Sequence, residues 1–289
     1  MTDHLKGLIL TTAGVLLVVP DSLFVRLIGE APLVTSFWRS FTAGALVALV
    51  LLASQGTQGF RAAATAGWPA WLYVLLLAIT SPGFVLAVEN TSVANVVFIF
   101  ATIPIFAAIF SRVFLGEKIS KRMIWTMIAV FAGLAIIGWG SQSNDVAHWS
   151  GDLLALLVSI SFAASLTAVR KVKEVSMVPA VAAAYLLAAA FLFPITNPLP
   201  IFAEKYLLFL AHGAFIAAAT CLMTLGPRYL PSAEVSLLIL LESVFAPLLV
   251  WVVIGENPGQ LAIIGGGVVI GALVVSNIIA LRRSRSQIR

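Results

Sequence analysis

Two carboxylates stand inside long apolar runs of this chain. Asp21 follows Pro20 in "LLVVPDSLFVR" (16–26), and Glu242 interrupts "SLLILLESVFAPLLV" (236–250). A carboxylate in such surroundings can pair with a cation of its own chain, hold and release a proton, or meet a cationic or zwitterionic solute. Arg39 in "SFWRS" (36–40) and His212 in "LAHGAF" (210–215) lie in runs of the same kind. The arginine offers a partner for a carboxylate, and the histidine offers a proton relay.

Something apolar must hold these groups. The 289 residues are 61% hydrophobic and only 10% charged, against about 25% charged in a soluble domain. Charge this sparse cannot cover a water-facing surface. Ten apolar segments run roughly over 5–28, 33–54, 68–88, 91–114, 121–140, 151–170, 177–197, 204–225, 231–254 and 259–281. Each is close to the ~20 residues that a spanning helix needs. Barrel strands would be shorter and would alternate apolar with polar, so the expected fold class is an all-α membrane protein with ten transmembrane helices. No gap between segments is large enough for a soluble domain. The single cysteine, Cys221, excludes an intrachain disulfide and a multi-cysteine metal site. With only Lys6 before the first apolar run and no small-residue cleavage site after it, that run reads as a retained span.

The net charge of +5 comes from basic residues in the short gaps between apolar runs. That is a topology signal rather than a nucleic-acid surface. With the N-terminus in the cytoplasm, 14 of the 17 Lys and Arg residues fall on the cytoplasmic side, all but Arg26, Arg39 and Lys205. The positive-inside rule then puts both termini in the cytoplasm and favours an even number of spans. The closing basic run, Arg282 to Arg289, retains this topology and could also touch anionic lipid.

Depth follows from the helical rise. Asp21 lies about 10 Å in from the outer end of span 1, and Arg39 about 9 Å in on span 2, so the two can pair. Such a pair either fixes the first two spans or contacts the solute, and both readings stay open. Pro20 removes a backbone donor beside Asp21 and loosens the helix there; Pro104 and Pro247 are further candidate kinks in spans 4 and 9. Glu242 reaches about 16 Å into span 9, near the midplane, with no Lys or Arg expected at its level. It is a candidate coupling or recognition carboxylate, or else a protonated acid hydrogen-bonded between helices. Glu234, in the first turn of span 9 behind Pro231 and Ser232, suits a cap or a gate. His212, around 12 Å deep in span 8, is a relay or a packing residue. Tyr185, Phe98, Trp38 and Phe245 are candidate aromatic walls. Gly267 and Gly271 in span 10 permit close helix contact, within the bundle or in a homodimer.

The chain also repeats itself. Residues 94–117 lie over 233–256 without a gap, so that Ala94 meets Ala233, Phe106 meets Phe245, and Gly116-Glu117 meets Gly255-Glu256. Residues 7–26 lie over 151–170, both stretches beginning with Gly and ending in Val-Arg. A repeat five spans long is odd in number, so its two copies enter the membrane from opposite sides. Two inverted five-helix repeats are an architecture of secondary transporters. Asn95 takes the place of Glu234 in this alignment and is a candidate for the opposite vestibule. Ile103 takes the place of Glu242, so that carboxylate breaks the symmetry.

Ten spans as five plus five, with "LGEKIS" after span 4, "IGENPG" after span 9, "SFWRS" in span 2 and "YLPSAEVSLLILLESVFAPLLVWVVIGE" (229–256), resemble the drug/metabolite transporter superfamily, EamA type. The resemblance covers the whole chain, with one repeat in 1–145 and the other, with the basic tail, in 146–289. It implies a secondary transporter of the bacterial inner membrane, often an exporter, with a central cavity between the halves. Motifs for ATP hydrolysis (GxxxxGK[ST]), zinc proteolysis (HExxH), the nucleophile elbow (GxSxG) and a potassium filter are absent from the sequence.

The expected function is therefore export of an amino acid or related small polar metabolite by alternating access, with proton coupling at Glu242. The expected partners are this solute, protons and membrane lipids. No enzymatic activity, cofactor, metal or nucleic acid is expected. Uptake of a metabolite or organic cation, and a non-transporting accessory role, are the alternatives.

Overall fold

The computed structural model describes residues 2–90, 96, 99–140, 149–255 and 259–286. These form thirteen α-helices and one 3-10 turn, with no strand among the described residues. In chain order they are α1 (Asp3–Val18), α2 (Asp21–Ile28), α3 (Pro32–Gln55), α4 (Gln58–Thr65), α5 (Trp68–Asn90), α6 (Ile103–Leu115) and α7 (Lys121–Gly140). There follow α8 (Trp149–Lys171), α9 (Val178–Thr196), α10 (Leu199–Leu225), α11 (Ser232–Ile239), α12 (Glu242–Ile254) and α13 (Gln260–Ser286). Among the described residues, nine helical segments are long and apolar enough to cross a membrane, with α1–α2 and α11–α12 each counted as one. Of the ten expected spans, the fourth is described only in part, through the shorter apolar helix α6. Helix α4, a short surface helix between the second and third spans, was not expected from the sequence.

Three spans bear on the site because they are broken. The first breaks at Val19–Pro20, where proline has no N–H to give to the preceding turn. The span ending in α6 turns at Ala101–Thr102, and the Thr102 hydroxyl donates to the Ile99 carbonyl while Pro104 enters the first turn of α6. The α11–α12 span turns at Leu240–Leu241. These last two turns occupy equivalent positions of the sequence repeat. Pro247 does not sit at the turn in its span; it lies inside α12, whose helix runs on through it. The eighth span also starts earlier than expected, at Leu199, because a non-helical residue, Lys205, joins a short leading segment to the main helix.

The helices pack as pairs. α1 lies on α10, α5 on α8, α3 on α9 and α10, α9 on α5, α6 on α8 and α11, and α7 on α13. Apolar burial gives little drive between helices in lipid, so close approach at small residues matters more. At Gly213 of α10 an added Cβ would overlap the Thr42 side chain of α3. On α13 the close approach is at Gly265, which faces Gly133 of α7, whereas a Cβ on Gly267 or Gly271 would meet nothing within 4 Å. The GxxxG face seen in the sequence thus points away from its own bundle.

Candidate functional site

The charge cluster is assembled at the first break. Asp21 is the first residue of α2, and a carboxylate there suits the positive end of the helix dipole. Arg39 on α3 grips it with a two-pronged fork, Nε to Oδ1 at 3.1 Å and Nη2 to Oδ2 at 2.7 Å. Paired N–H donors on a carboxylate are among the stronger polar contacts a protein makes. The remaining arm, Nη1, donates to Ser81 Oγ of α5 at 2.9 Å, and Ser81 Oγ is 3.4 Å from Ser40 Oγ. From α10, His212 Nε2 meets Asp21 Oδ1 at 2.5 Å. The imidazole is fully buried and stacks on Phe24, with ring centres 5.2 Å apart and planes inclined at 15°. Its Nδ1 is buried with no hydrogen-bond partner among the described residues. The carboxylate thus ties α2, α3 and α10 together, and the arginine carries the network on to α5.

Glu242 is the first residue of α12, directly after the break at Leu240–Leu241. Its side chain makes no hydrogen bond or ion pair to a described residue, yet it lies within electrostatic reach of both Asp21 and Arg39. This corrects the expectation that no basic group lies near it. Counting depth along straight helices separated the two levels, whereas the breaks at Pro20 and Leu241 bring the starts of α2 and α12 together, and these helices pack on each other. Asp21 and Arg39 neutralise one another, which leaves Glu242 as the carboxylate with no fixed cation of its own.

Tyr185 of α9 lies beside this cluster, its hydroxyl 2.7 Å from Thr220 Oγ1 on α10, and it is within electrostatic reach of Arg39 and Asp21. One turn further along α10, Thr224 Oγ1 meets the Tyr73 hydroxyl of α5 at 2.8 Å. The sequence reading missed Ser81, Tyr73, Thr220 and Thr224. The signal for the last two was there, as hydroxyls four apart on one face of an apolar helix.

Two further groups of charges lie at the ends of the bundle. At the end that carries both termini, Glu234 Oε1 takes Arg122 Nη2 at 3.1 Å and His4 Nε2 at 3.2 Å. Arg122 Nη1 also reaches the Ser276 hydroxyl at 2.8 Å and the Ser276 carbonyl at 3.0 Å. Nearby, Arg170 Nε donates to Glu117 Oε1 at 2.8 Å and its Nη1 to the Pro227 carbonyl at 2.8 Å. At the opposite end, Lys205 Nζ meets Glu30 Oε1 at 2.5 Å. There Trp38 donates to the Pro198 carbonyl and stacks against Phe202 and Phe209, so it is part of an aromatic cluster. Phe245 is half-buried against the core. Asn95 and Phe98 lie outside the described residues. Among the described residues no three His, Cys, Asp or Glu side chains gather as metal ligands would.

The profile of the EamA-like transporter family matches residues 5–139 and again residues 149–278. A crystal structure of another protein, 20% identical, superposes with a TM-score of 0.79 over 97% of this chain and 98% of that one. No curated protein matches the chain.

Proposed function

The chain belongs to the EamA-like transporter family, and we propose that it exports an amino acid or related small polar metabolite by alternating access, with Glu242 as the coupling and recognition carboxylate. On this reading the chain makes ten spans in the bacterial inner membrane. Its halves, 1–145 and 146–289, form inverted repeats with both termini in the cytoplasm. The turns at 101–102 and 240–241, equivalent in sequence, favour the repeat, and its odd number of spans favours the inverted relation. The pairing of helices favours a two-fold relation between the halves, since α1 on α10 and α8 on α5 are the same contact made once in each direction. The bias of Lys and Arg favours the orientation.

One observation carries the site. Glu242 stands at a helix break, beside an Asp21–Arg39 pair that is already neutral, with no fixed cation of its own. A carboxylate so placed can exchange a proton for the ammonium group of a solute, and the two compete for one site. Asp21, Arg39, His212 and Tyr185 then form the wall that positions the solute and holds the break in shape.

A thermal-shift screen of the purified protein against amino acids, nucleosides, vitamins and organic cations at two pH values tests this. A ligand that binds only the folded state stabilises it by mass action, by about 2.7 kcal/mol at a hundredfold excess over Kd, and so raises the melting temperature. An amine-bearing hit whose shift is pH-dependent in the native protein, and lost in Glu242→Gln, supports the reading. A hit that survives Glu242→Gln moves recognition to another residue. Counterflow of the hit in vesicles that is abolished by Glu242→Gln separates a carrier from an accessory protein.

A further inference from the structure

We propose that α11 is the plug that closes the central site toward the end bearing the termini, and that the Glu234–Arg122–His4 cluster is its latch. This rests on the alternating-access reading above, and it concerns residues to which that reading gives no task.

The geometry points to α11 first. All eight of its residues, Ser232 to Ile239, are buried. A helix buried on every side lies in the bundle interior, and α11 packs on α1, α6 and α8 at once. Its two ends carry the two carboxylates. Glu234 is in its first turn, and Glu242 follows the break after its last, about 12 Å further on at the helical rise. The Leu240–Leu241 turn makes the second end a hinge. A change at Glu242, whether proton or solute, therefore acts on the hinge of the same short helix whose other end is fastened by Glu234.

The fastening joins four segments, two of which, α7 and α13, also meet through the Thr126 hydroxyl donating to Ser276 Oγ at 2.8 Å. His4 comes from the start of α1, Arg122 from the start of α7, Glu234 from α11 and Ser276 from the last part of α13. Arg122 falls in the first stretch that matches the family and Glu234 in the second, so the latch crosses between the halves. The Glu234 side chain is 5% exposed and that of Arg122 16%. Separating a pair this deep leaves charges without partners, so the closed state is favoured until water or a solute enters. The latch is also built to release. Arg122 and His4 share the same oxygen, Oε1, and a small recess opens beside it, lined by Arg122, Leu238, Ser276 and Asn277. Ser232 Oγ, donating to the Leu166 carbonyl at 3.3 Å, steadies the same end of α11 from α8.

The test places a reporter on the plug. In a Cys221→Ser background, Ser236→Cys puts a thiol at a position that is fully buried on α11. Its labelling by a membrane-impermeant maleimide is followed in inside-out vesicles and in intact cells. With the latch intact the thiol reacts slowly from both sides. In Glu234→Gln, loss of the charged hydrogen bonds raises the labelling rate about tenfold, from the terminal side only. If Glu234→Gln does not fold, His4→Ala removes one of the two partners at the rim, and a several-fold rise on that side alone carries the same meaning. An unchanged rate in a folded variant overturns the latch, as does an equal rise from both sides, which marks general loosening. Unchanged labelling with solute counterflow intact removes the latch and leaves the carrier. A one-sided rise in a protein that moves no solute leaves the latch and removes the carrier.

Discussion

The molecule builds the same set of groups twice, a carboxylate with an arginine and a histidine, and holds it differently each time. In the central cluster both oxygens of Asp21 are gripped by Arg39, the third arm of Arg39 is bound by Ser81, and His212 is fully buried. In the terminal cluster one oxygen of Glu234 serves both Arg122 and His4, and the second arm of Arg122 goes to Ser276 instead. A fork on two oxygens fixes position and orientation together, whereas two donors on one oxygen fix only position. The central set is thus an anchor around which the broken helices are arranged, and the terminal set is a fastening that can open. Each crosses the two halves, with the carboxylate from the first half in one and from the second in the other.

The largest effect expected from this difference is on folding. Arg39→Met leaves Asp21 buried without its cation and should destabilise the protein by ~3–5 kcal/mol, as for other buried pairs broken from one side. Glu234→Gln keeps the shape and an acceptor, so it should cost less, about 1.5–3 kcal/mol for charged hydrogen bonds lost. Melting temperatures of the two variants in the same detergent check the order. The reverse order would make the terminal cluster the anchor. Adding Asp21→Asn to Arg39→Met should restore part of the loss, since the double variant has no lone charge.

How far this was legible in the sequence depends on what each residue needed. Asp21 and Arg39 were paired by depth alone, because both lie close to the same end of consecutive spans. His212 fell at nearly the same depth, and the count contained the whole central triad, but a histidine on a distant span gave no reason to be joined to it. The proximity of Glu242 was not legible. It depends on the turn at Leu240–Leu241, and no proline or glycine stands at that turn; Pro104 marks its counterpart in the first half, whereas Pro247 lies deeper, inside α12. The latch was half legible. Glu234 read as a cap or gate from its place in the first turn, while its partners could not be chosen among the many basic residues at that end. The family resemblance was legible from "LGEKIS", "IGENPG", "SFWRS" and the stretch 229–256, none of which specifies the solute.

His212 sharpens the comparison at intermediate size. Its Nε2 touches Asp21, and its Nδ1 is buried with no partner among the described residues. Gln places an amide nitrogen where Nε2 stands, so His212→Gln should keep the contact and cost under about 1.5 kcal/mol, the range of one ordinary hydrogen bond. His212→Leu removes the donor and should cost more than Gln at equal volume. If the histidine only positions Asp21, solute counterflow in His212→Gln keeps the native pH profile. If it relays protons, the profile shifts while the melting temperature stays close to native.

The smallest effect is expected at the opposite end, and its smallness is what makes it informative. Lys205 pairs with Glu30, and their side chains are 28% and 23% exposed. Aromatic packing adds to it there, with Trp38, Phe202 and Phe209 in mutual contact. An ion pair this open is worth about 0–1 kcal/mol, since water and salt screen it. Lys205→Met should therefore lower the melting temperature slightly at low salt, with the difference fading near 1 M salt, where the screening length is about 3 Å. The two ends of the bundle are then closed by different means, ions at the terminal end and rings at the other. A loss in Lys205→Met as large as that in Glu234→Gln, and insensitive to salt, would show that both ends are latched by charge. In that case the distinction between the anchor and the fastening would rest on burial alone, because Glu30, like Glu234, is held through a single oxygen.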